Sequence, residues 1–339
     1  MAPPDQPLVS VLLPVWNAAA TLPACLASLA RQTEARWECV LADDGSEDDT
    51  LAIARAAARR DARVRVLTFP HRGIVATLND ALPHCRAALI ARMDADDLMH
   101  RERLAAQIAL LAGEPRLAAV GCHVRLFPRA HLGEGLRAYE RWLRSIDGPH
   151  RVREDAFVES PVAHPTLLLR TDVLRAHGGY RAMGWPEDYD LVLRLLDSGR
   201  EIGVVPRRLV CWRDHARRLT HNDPAYRIER FTDAKAHFLA HGFLAGTDRY
   251  VLWGYGHTGR ALRRALARHG KTPSHVVELH PGRLGQVIHG APVIAPDALA
   301  ALPPHRLVAS VAGAEARGLI RAFLRDLGRV ELRDFVCAA

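Results

Sequence analysis

Lysine is almost missing from this chain. It occurs only at positions 235 and 271, so nearly all of the positive charge behind the net +8 is arginine. That bias matches a GC-rich bacterial genome. A basic balance suits anionic partners such as nucleotide diphosphates or a membrane surface, but no compact basic block interleaved with aromatics is present, which argues against nucleic acid. Cysteine is sparse and unpatterned. The six, at 25, 39, 85, 122, 211 and 337, form no CxxC pair and no regular spacing. This excludes a disulfide framework and a thiolate metal site, and leaves buried thiols in a reducing cytoplasm. No apolar run approaches the roughly 20 residues of a membrane-crossing helix. The opening "MAPPDQPLVS" has neither the basic nor the apolar region of a secretory signal. The expectation is a cytoplasmic protein with no transmembrane segment, at most peripheral at the inner face of the membrane. Internal repeats and low-complexity stretches are absent too.

What is present is core-forming material: 339 residues, 49% of them hydrophobic, enough for two or three domains. The first hundred residues alternate short apolar strands, "LVSVLL" (8–13), "WECVLA" (37–42), "RVRVLTF" (63–69) and "ALIARM" (88–93), with helix-compatible stretches. That is the pattern of a parallel sheet wrapped by helices. Further along, a strand is expected at 118–127, a helix around "YERWLRSI", a strand at 166–170 and a short helix ending at Gly178-Gly179. The helix "EDYDLVLRLLDSG" follows, with Gly199 as its left-handed cap. A strand "LVCWR" and a helical stretch over 224–241 come next. The break is set in "HGFLAGTD" (241–248), giving an α/β domain over 1–245 and a smaller α/β domain over 246–339.

In parallel α/β sheets, ligand-binding groups gather where the strands end. Asp43-Asp44 follows the second strand, and Asp94, Asp96 and Asp97 crowd into "MDADD" after the fourth. Like charges so close repel unless something positive offsets them. The plain alternative reads these acids as turn residues and caps. Ser46 with Asp49 fits a capping box, and Asp97 suits a cap for the helix that follows. Capping does not account for Asp44, Asp94 and Asp96 together. A hard divalent cation, Mn²⁺ or Mg²⁺, accepts one or two carboxylates plus substrate phosphates.

With "SVLLPVWN", "DDGSEDDT", "GIVATLNDAL", "ARMDADD", "HPTLLLR", "GGYR", "PEDYDLVLRLLDSG" and "WRDH" in order over roughly 8–220, the chain resembles glycosyltransferase family 2 and its GT-A fold. The resemblance implies an inverting, metal-dependent transfer of a sugar from a nucleotide-sugar donor to a saccharide or lipid-linked hydroxyl acceptor, in surface polysaccharide or glycolipid assembly. It further implies that Asp44 binds the base and that Asp94 binds the ribose side of the donor and also belongs to the metal site. Asp96 would bind the metal, and main chain at Pro14 and Val15 would line the nucleotide pocket. Asp188 would be the general base, because a hydroxyl nucleophile must lose its proton as the diphosphate leaves. Arg213 or His215, in "CWRDHARRLTH", could contact the diphosphate or the metal. A plainer origin for the acids of the "ED" block is attraction to the helix N-terminus, which suits Glu187 better than Asp188. His164 is expected to serve structure.

The C-terminal unit carries Gly254-x-Gly256-x-x-Gly259 between a strand and a helix, with Glu278 ending the next strand. This resembles a Rossmann-like dinucleotide fingerprint, which could take an NAD-type dinucleotide. About 90 residues leave no room for a catalytic partner domain, so a structural or regulatory module is expected. Two rival readings stay open: a non-catalytic nucleotide-sugar-binding or scaffolding protein, and a nucleotide sensor or oxidoreductase centred on the C-terminal unit.

Overall fold

The four apolar runs of the first hundred residues do form strands, and their register decides where the acids fall. The computed structural model describes residues 6–216, 218–303 and 305–339. Strand β1 (Val9–Val15) leads through α1 (Leu22–Ala30) to β2 (Trp37–Asp43), then through α2 (Thr50–Arg60) to β3 (Val64–Thr68) and through α3 (Ile74–Ala81) to β4 (Leu89–Arg92). All four are parallel, with β1 central: Val15 pairs with Asp43 of β2 and Leu12 with Arg92 of β4. The carboxyl ends of β2 and β4 therefore open on the same edge, so Asp44 and Asp94 are brought there by sheet register.

The sheet then changes sense. After the two-residue β5 (Leu98–Met99) come α4 (Arg103–Gly113), β6 (Leu117–Phe127), α5 (Glu134–Leu143), α6 (Pro149–Asp155), β7 (Leu168–Arg170), α7 (Thr171–Ala176), α8 (Glu187–Asp197) and β8 (Glu201–Arg213). The complete order is β3-β2-β1-β4-β7-β6-β8-β5, with β7 antiparallel to both neighbours and β5 antiparallel to β8. Strands β6 and β8 run parallel with register shifts and end with Phe127 opposite Arg213. The central strands are buried along nearly their whole length, Pro14 of β1 alone being half-buried, as expected of strands covered on both faces. Gly199, past the end of α8, has φ +81°, the left-handed cap its position predicts.

Two capping expectations are corrected. Helix α2 starts only at Thr50 with Asp49 at its N-cap, and the Ser46 hydroxyl instead accepts the Asn17 amide at 2.9 Å. Asp97 is followed by β5, and α4 begins at Arg103, so Asp97 caps no helix. In both places the chain makes a tertiary tie where local spacing suggested a local one.

The second unit comprises 153–161, 184–189 and 222–339. This differs from the division expected at 245/246. Helix α10 (Ile228–Phe238), which follows the one-turn α9 (Leu219–Asn222), belongs with the second unit because Ala236, Leu239, Ala240 and Leu244 bury against Tyr250, Leu252, Leu262 and Val308. Its strands are β9 (Arg249–Trp253), β10 (Thr272–Val277), β11 (Val287–Ile288), β12 (Ala291–Ile294), β13 (Leu307–Ala309) and β14 (Phe335–Cys337), with helices α11 (His257–Ala267) and α12 (Ala314–Asp326). The order is β11-β12-β10-β9-β13-β14, parallel except for β11. Alternate residues feed opposite faces. Tyr250 and Leu252 pack toward α11, while Val251 and Trp253 pack with Ile320 and Leu324 of α12.

The three glycines after β9 differ in what surrounds them. Gly254 has φ +92°, and a Cβ on Gly259 would stand 2.0 Å from the Gly254 carbonyl, whereas a Cβ on Gly256 would meet nothing within 4 Å. Gly259→Ala should therefore destabilise the second unit by about 1–3 kcal/mol through forced separation of α11 from β9. Gly256→Ala should cost less, about 0.5–1 kcal/mol, the preference of an N-cap for Gly over Ala. Thermal unfolding of the two variants side by side measures the contrast, and equal losses would contradict it.

Candidate active site

Asp44 follows β2 at the carboxyl edge and is buried. Its amide donates to the Val15 carbonyl at 2.9 Å, which ties the ends of β1 and β2 together. Its carboxylate holds the 71–73 loop: one oxygen accepts the Arg72 amide and the other the Gly73 amide, both at 2.9 Å, and His71 Nδ1 lies 2.9 Å from the second. The His71 ring stacks on Trp16, with centroids 4.4 Å apart and planes 16° from parallel, and Trp16 is 51% exposed. An exposed stacked pair next to a buried carboxylate is a surface for a flat heteroaromatic ring. Val15 is buried and Pro14 half-buried beneath it. The sequence points to the main chain at Pro14 and Val15 but not to Trp16 or His71. The signal was a large aromatic at a strand end, where a core role is unavailable.

The second acid group follows β4. Asp94, Asp96 and Asp97 each bring one carboxylate oxygen within 4.8 Å of the others. Arginines and one histidine lie against them. Arg92, fully buried, pairs with Asp94. His215 Nε2 lies 2.8 Å from Asp96 Oδ2, Arg213 Nε donates to the Asp96 carbonyl at 2.7 Å, and the Arg213 amide donates to Asp97 Oδ1 at 2.7 Å. The Arg213 guanidinium also rests 4.4 Å from the Phe127 ring centre, a position set by the β6–β8 register. The structure thus brings together Asp94, Asp96, Arg213 and His215, and adds Asp97. The latter's other oxygen, Oδ2, is buried with no hydrogen-bond partner among the described residues.

This arrangement has an electrostatic cost. Burial pushes the Asp96 carboxyl above its ordinary range, with the neighbouring Asp94 charge adding to it and His215 opposing. Asp97 is pushed well above by burial, then by Asp94 and Asp96. Three crowded carboxylates, one of which carries an oxygen without a donor among the described residues, could hold a hard dication, whose charge would offset the repulsion. The donor set is all oxygen, which suits Mg²⁺ or Mn²⁺. Asp96 and Asp94, with Asp97, would hold such an ion.

The remaining acid of interest opens α8. Asp188 is half-buried, and its Oδ1 accepts the Tyr189 amide at 2.8 Å. Glu187 next to it is buried and accepts the Tyr226 hydroxyl at 2.8 Å, so its role is a structural tie more than an interaction with the helix end. His164 is buried against Tyr180, its Nε2 3.2 Å from the hydroxyl, and burial with help from Arg92 holds its pKa well below the usual range. It is a neutral packing group. In the second unit, Glu278 Oε1 accepts the Tyr255 amide at 2.7 Å and the Arg283 guanidinium at 2.9 Å. The carboxylate offered to a ribose hydroxyl thus already braces the glycine loop.

A parallel-rich sheet whose strand ends present a carboxylate-held loop and an acidic cluster is the GT-A architecture. The structure is similar to that of mannosyltransferase PcManGT from Pyrobaculum calidifontis in complex with GDP-Man and Mn²⁺, at TM-score 0.52 and 20% identity over 69% of this chain and 62% of that one. This is a likeness of fold. Residues 10–178 match the Glycosyl transferase family 2. The chain is 32% identical over 198 residues to the putative glycosyltransferase EpsE of Bacillus subtilis (strain 168), spanning 57% of this chain and 68% of that protein. It is 33% identical over 108 residues to the UDP-Glc:alpha-D-GlcNAc-diphosphoundecaprenol beta-1,3-glucosyltransferase WfgD of Escherichia coli, spanning 32% and 42%. The chain belongs to glycosyl transferase family 2 and is a glycosyltransferase. No described helix is long and apolar enough to cross a membrane.

Since Asp96 and Asp97 hold their protons above the ordinary carboxylate range, a cation entering the cluster must displace them. Mn²⁺ affinity should therefore go on rising with pH above about 5, where unperturbed aspartates would already have levelled off. Calorimetric Mn²⁺ titrations across that range, compared with Asp97→Asn, check it. A flat profile in the wild type contradicts the buried-proton account.

Proposed function

We propose that this glycosyltransferase is metal-dependent and inverting, and that it moves a sugar from a nucleotide-sugar donor to a hydroxyl of a saccharide or lipid-linked acceptor. The observation that carries this reading is the acidic cluster with its orphaned oxygen on Asp97, beside which Arg213 and the His215 ring are already assembled. PcManGT, described with GDP-Man and Mn²⁺, supports a nucleotide sugar and a divalent ion. The name of WfgD, which gives a lipid-diphosphate-linked sugar as acceptor, supports the acceptor class and surface-glycan or glycolipid assembly. The net charge of +8 suits peripheral contact with an anionic membrane surface.

In this reading the nucleobase rests on the Trp16–His71 pair, with Asp44 fixing the loop behind it and accepting from the base edge. Asp94 takes the ribose side. A dication, when bound, offsets the charge of the diphosphate. Arg213 supplies further positive charge, and His215 a ring nitrogen, where the leaving group's electron pair accumulates. The acceptor oxygen attacks the anomeric carbon on the face opposite the departing phosphate oxygen, one C–O bond forms as the other breaks, and the acceptor proton passes to the Asp188 carboxylate. The single displacement inverts the anomeric centre.

Asp188→Asn keeps the side chain's shape and removes its basicity. It should leave donor affinity within about twofold while lowering turnover by at least a hundredfold, the lower range of general-base effects. Donor titration and product formation on the same preparation check this, and wild-type turnover in the variant would remove Asp188 from the role. Asp96→Ala should abolish the difference in donor affinity between Mn²⁺ and chelator. A preserved difference would place the ion elsewhere.

A further inference from the structure

Among the described residues, two clusters gather three metal-ligating side chains each: the acids above, and His237, His241 and His269. The second lies wholly within the second unit, and the transfer chemistry gives it no task. We propose that His237, His241 and His269 form a binding site for a borderline transition-metal dication, Zn²⁺ above all.

The geometry begins with helix α10. His237 stands in its last turn, and His241 lies four residues on, in the π-helical turn Leu239–Phe243 that continues it. Residues four apart share a helix face, and the two rings are 4.6 Å apart between centres. Inserted π turns are frequent at functional positions. Helix α11 packs against α10 and ends at Ala267. His269, fixed by its amide donating to the Leu266 carbonyl at 3.0 Å, brings a third ring 5.3 Å from His241 and 5.8 Å from His237.

One ring nitrogen from each histidine lies within 4.8 Å of the other two. Around a tetrahedral ion with metal–nitrogen bonds of about 2.0–2.1 Å, the nitrogens stand roughly 3.3 Å apart, so small ring rotations close the set. His241 is oriented for it. Its Nδ1 lies 2.8 Å from the His237 carbonyl, a contact that uses Nδ1–H as donor and leaves the Nε2 lone pair for the ion, the outer arrangement typical of metal-binding histidines. His241 is exposed, which gives solvent entry and a fourth position for water.

Ligand chemistry selects the ion. Three imidazoles with no carboxylate among them suit Zn²⁺ and its neighbours, not Mg²⁺ or Mn²⁺. The acidic cluster is all oxygen and prefers the reverse. The chain would thus sort two kinds of dication between two places. Since one ligand pair comes from α10 and the third from the end of α11, an ion here pins the two helices together and raises the stability of the unit that contains them.

The test uses the full chain without a histidine tag, stripped of metal, in the Asp96→Ala background so that the acids do not report. Zn²⁺ titration by calorimetry, metal content after dialysis, and thermal unfolding with and without Zn²⁺ are measured for this protein and for versions also carrying His241→Ala or His269→Ala. The expected result is one bound Zn²⁺ and a raised Tm, both lost in each histidine variant, with excess Mn²⁺ failing to compete. Replacing Zn²⁺ by Co²⁺ should give visible d–d absorption that His241→Ala abolishes. His241 is exposed, so its variant keeps the fold, and an unchanged metal-free Tm verifies that. If the starting protein takes up no Zn²⁺, or takes it up equally after His241→Ala, the proposal is overturned and the three rings are packing alone.

Discussion

The repulsion among Asp94, Asp96 and Asp97 is the constraint around which the larger unit is arranged. Three carboxyls with oxygens within 4.8 Å of one another cannot all ionise in a partly buried place without compensation. The chain recruits that compensation from separated segments: Arg92 from the end of β4, and Arg213 and His215 from the end of β8. Even so, one Asp97 oxygen has no donor and two of the three acids hold their protons above the usual range. A structural ion network would be closed by its own arginines. This one leaves an acid oxygen without a donor among the described residues.

Asp44 shows the opposite use of a carboxylate. Its charge is met by two main-chain amides, so it acts first as a bracket that sets the 71–73 loop and through it the His71 ring under Trp16. Rigid support beneath an exposed aromatic pair is what a recognition surface needs, since a ligand then binds without ordering the protein first. Glu278 in the second unit does similar bracing for its glycine loop through the Tyr255 amide. There Gly254 and Gly259 answer to packing, and Gly256 alone faces open space.

The two three-residue clusters also separate by chemistry. Carboxylate oxygens gathered on a sheet edge and imidazole nitrogens gathered on paired helices differ in hardness, so under the two proposals neither would need to exclude the other's ion by shape.

The sequence by itself determined the strands β1 to β4, the helices between them, the placing of acids after β2 and β4, and the cap at Gly199, because each rests on periodicity or backbone preference within a few residues. It also carried the family, through motifs read in order. What only the tertiary structure decided is everything that joins distant segments. His215 reaches Asp96 across 119 positions because β8 lies two places beyond the antiparallel β7, an order that no local pattern encodes. Asp97 looked like a helix cap because spacing reports the nearest helix and not the strand β5 that intervenes. The division at 245 missed α10 because hydrophobic periodicity shows that a helix has a buried face without naming the sheet that buries it. The three histidines are spread over 33 positions with no motif spacing beyond one i,i+4 pair, and only the packing of α10 on α11 closes them into a cluster.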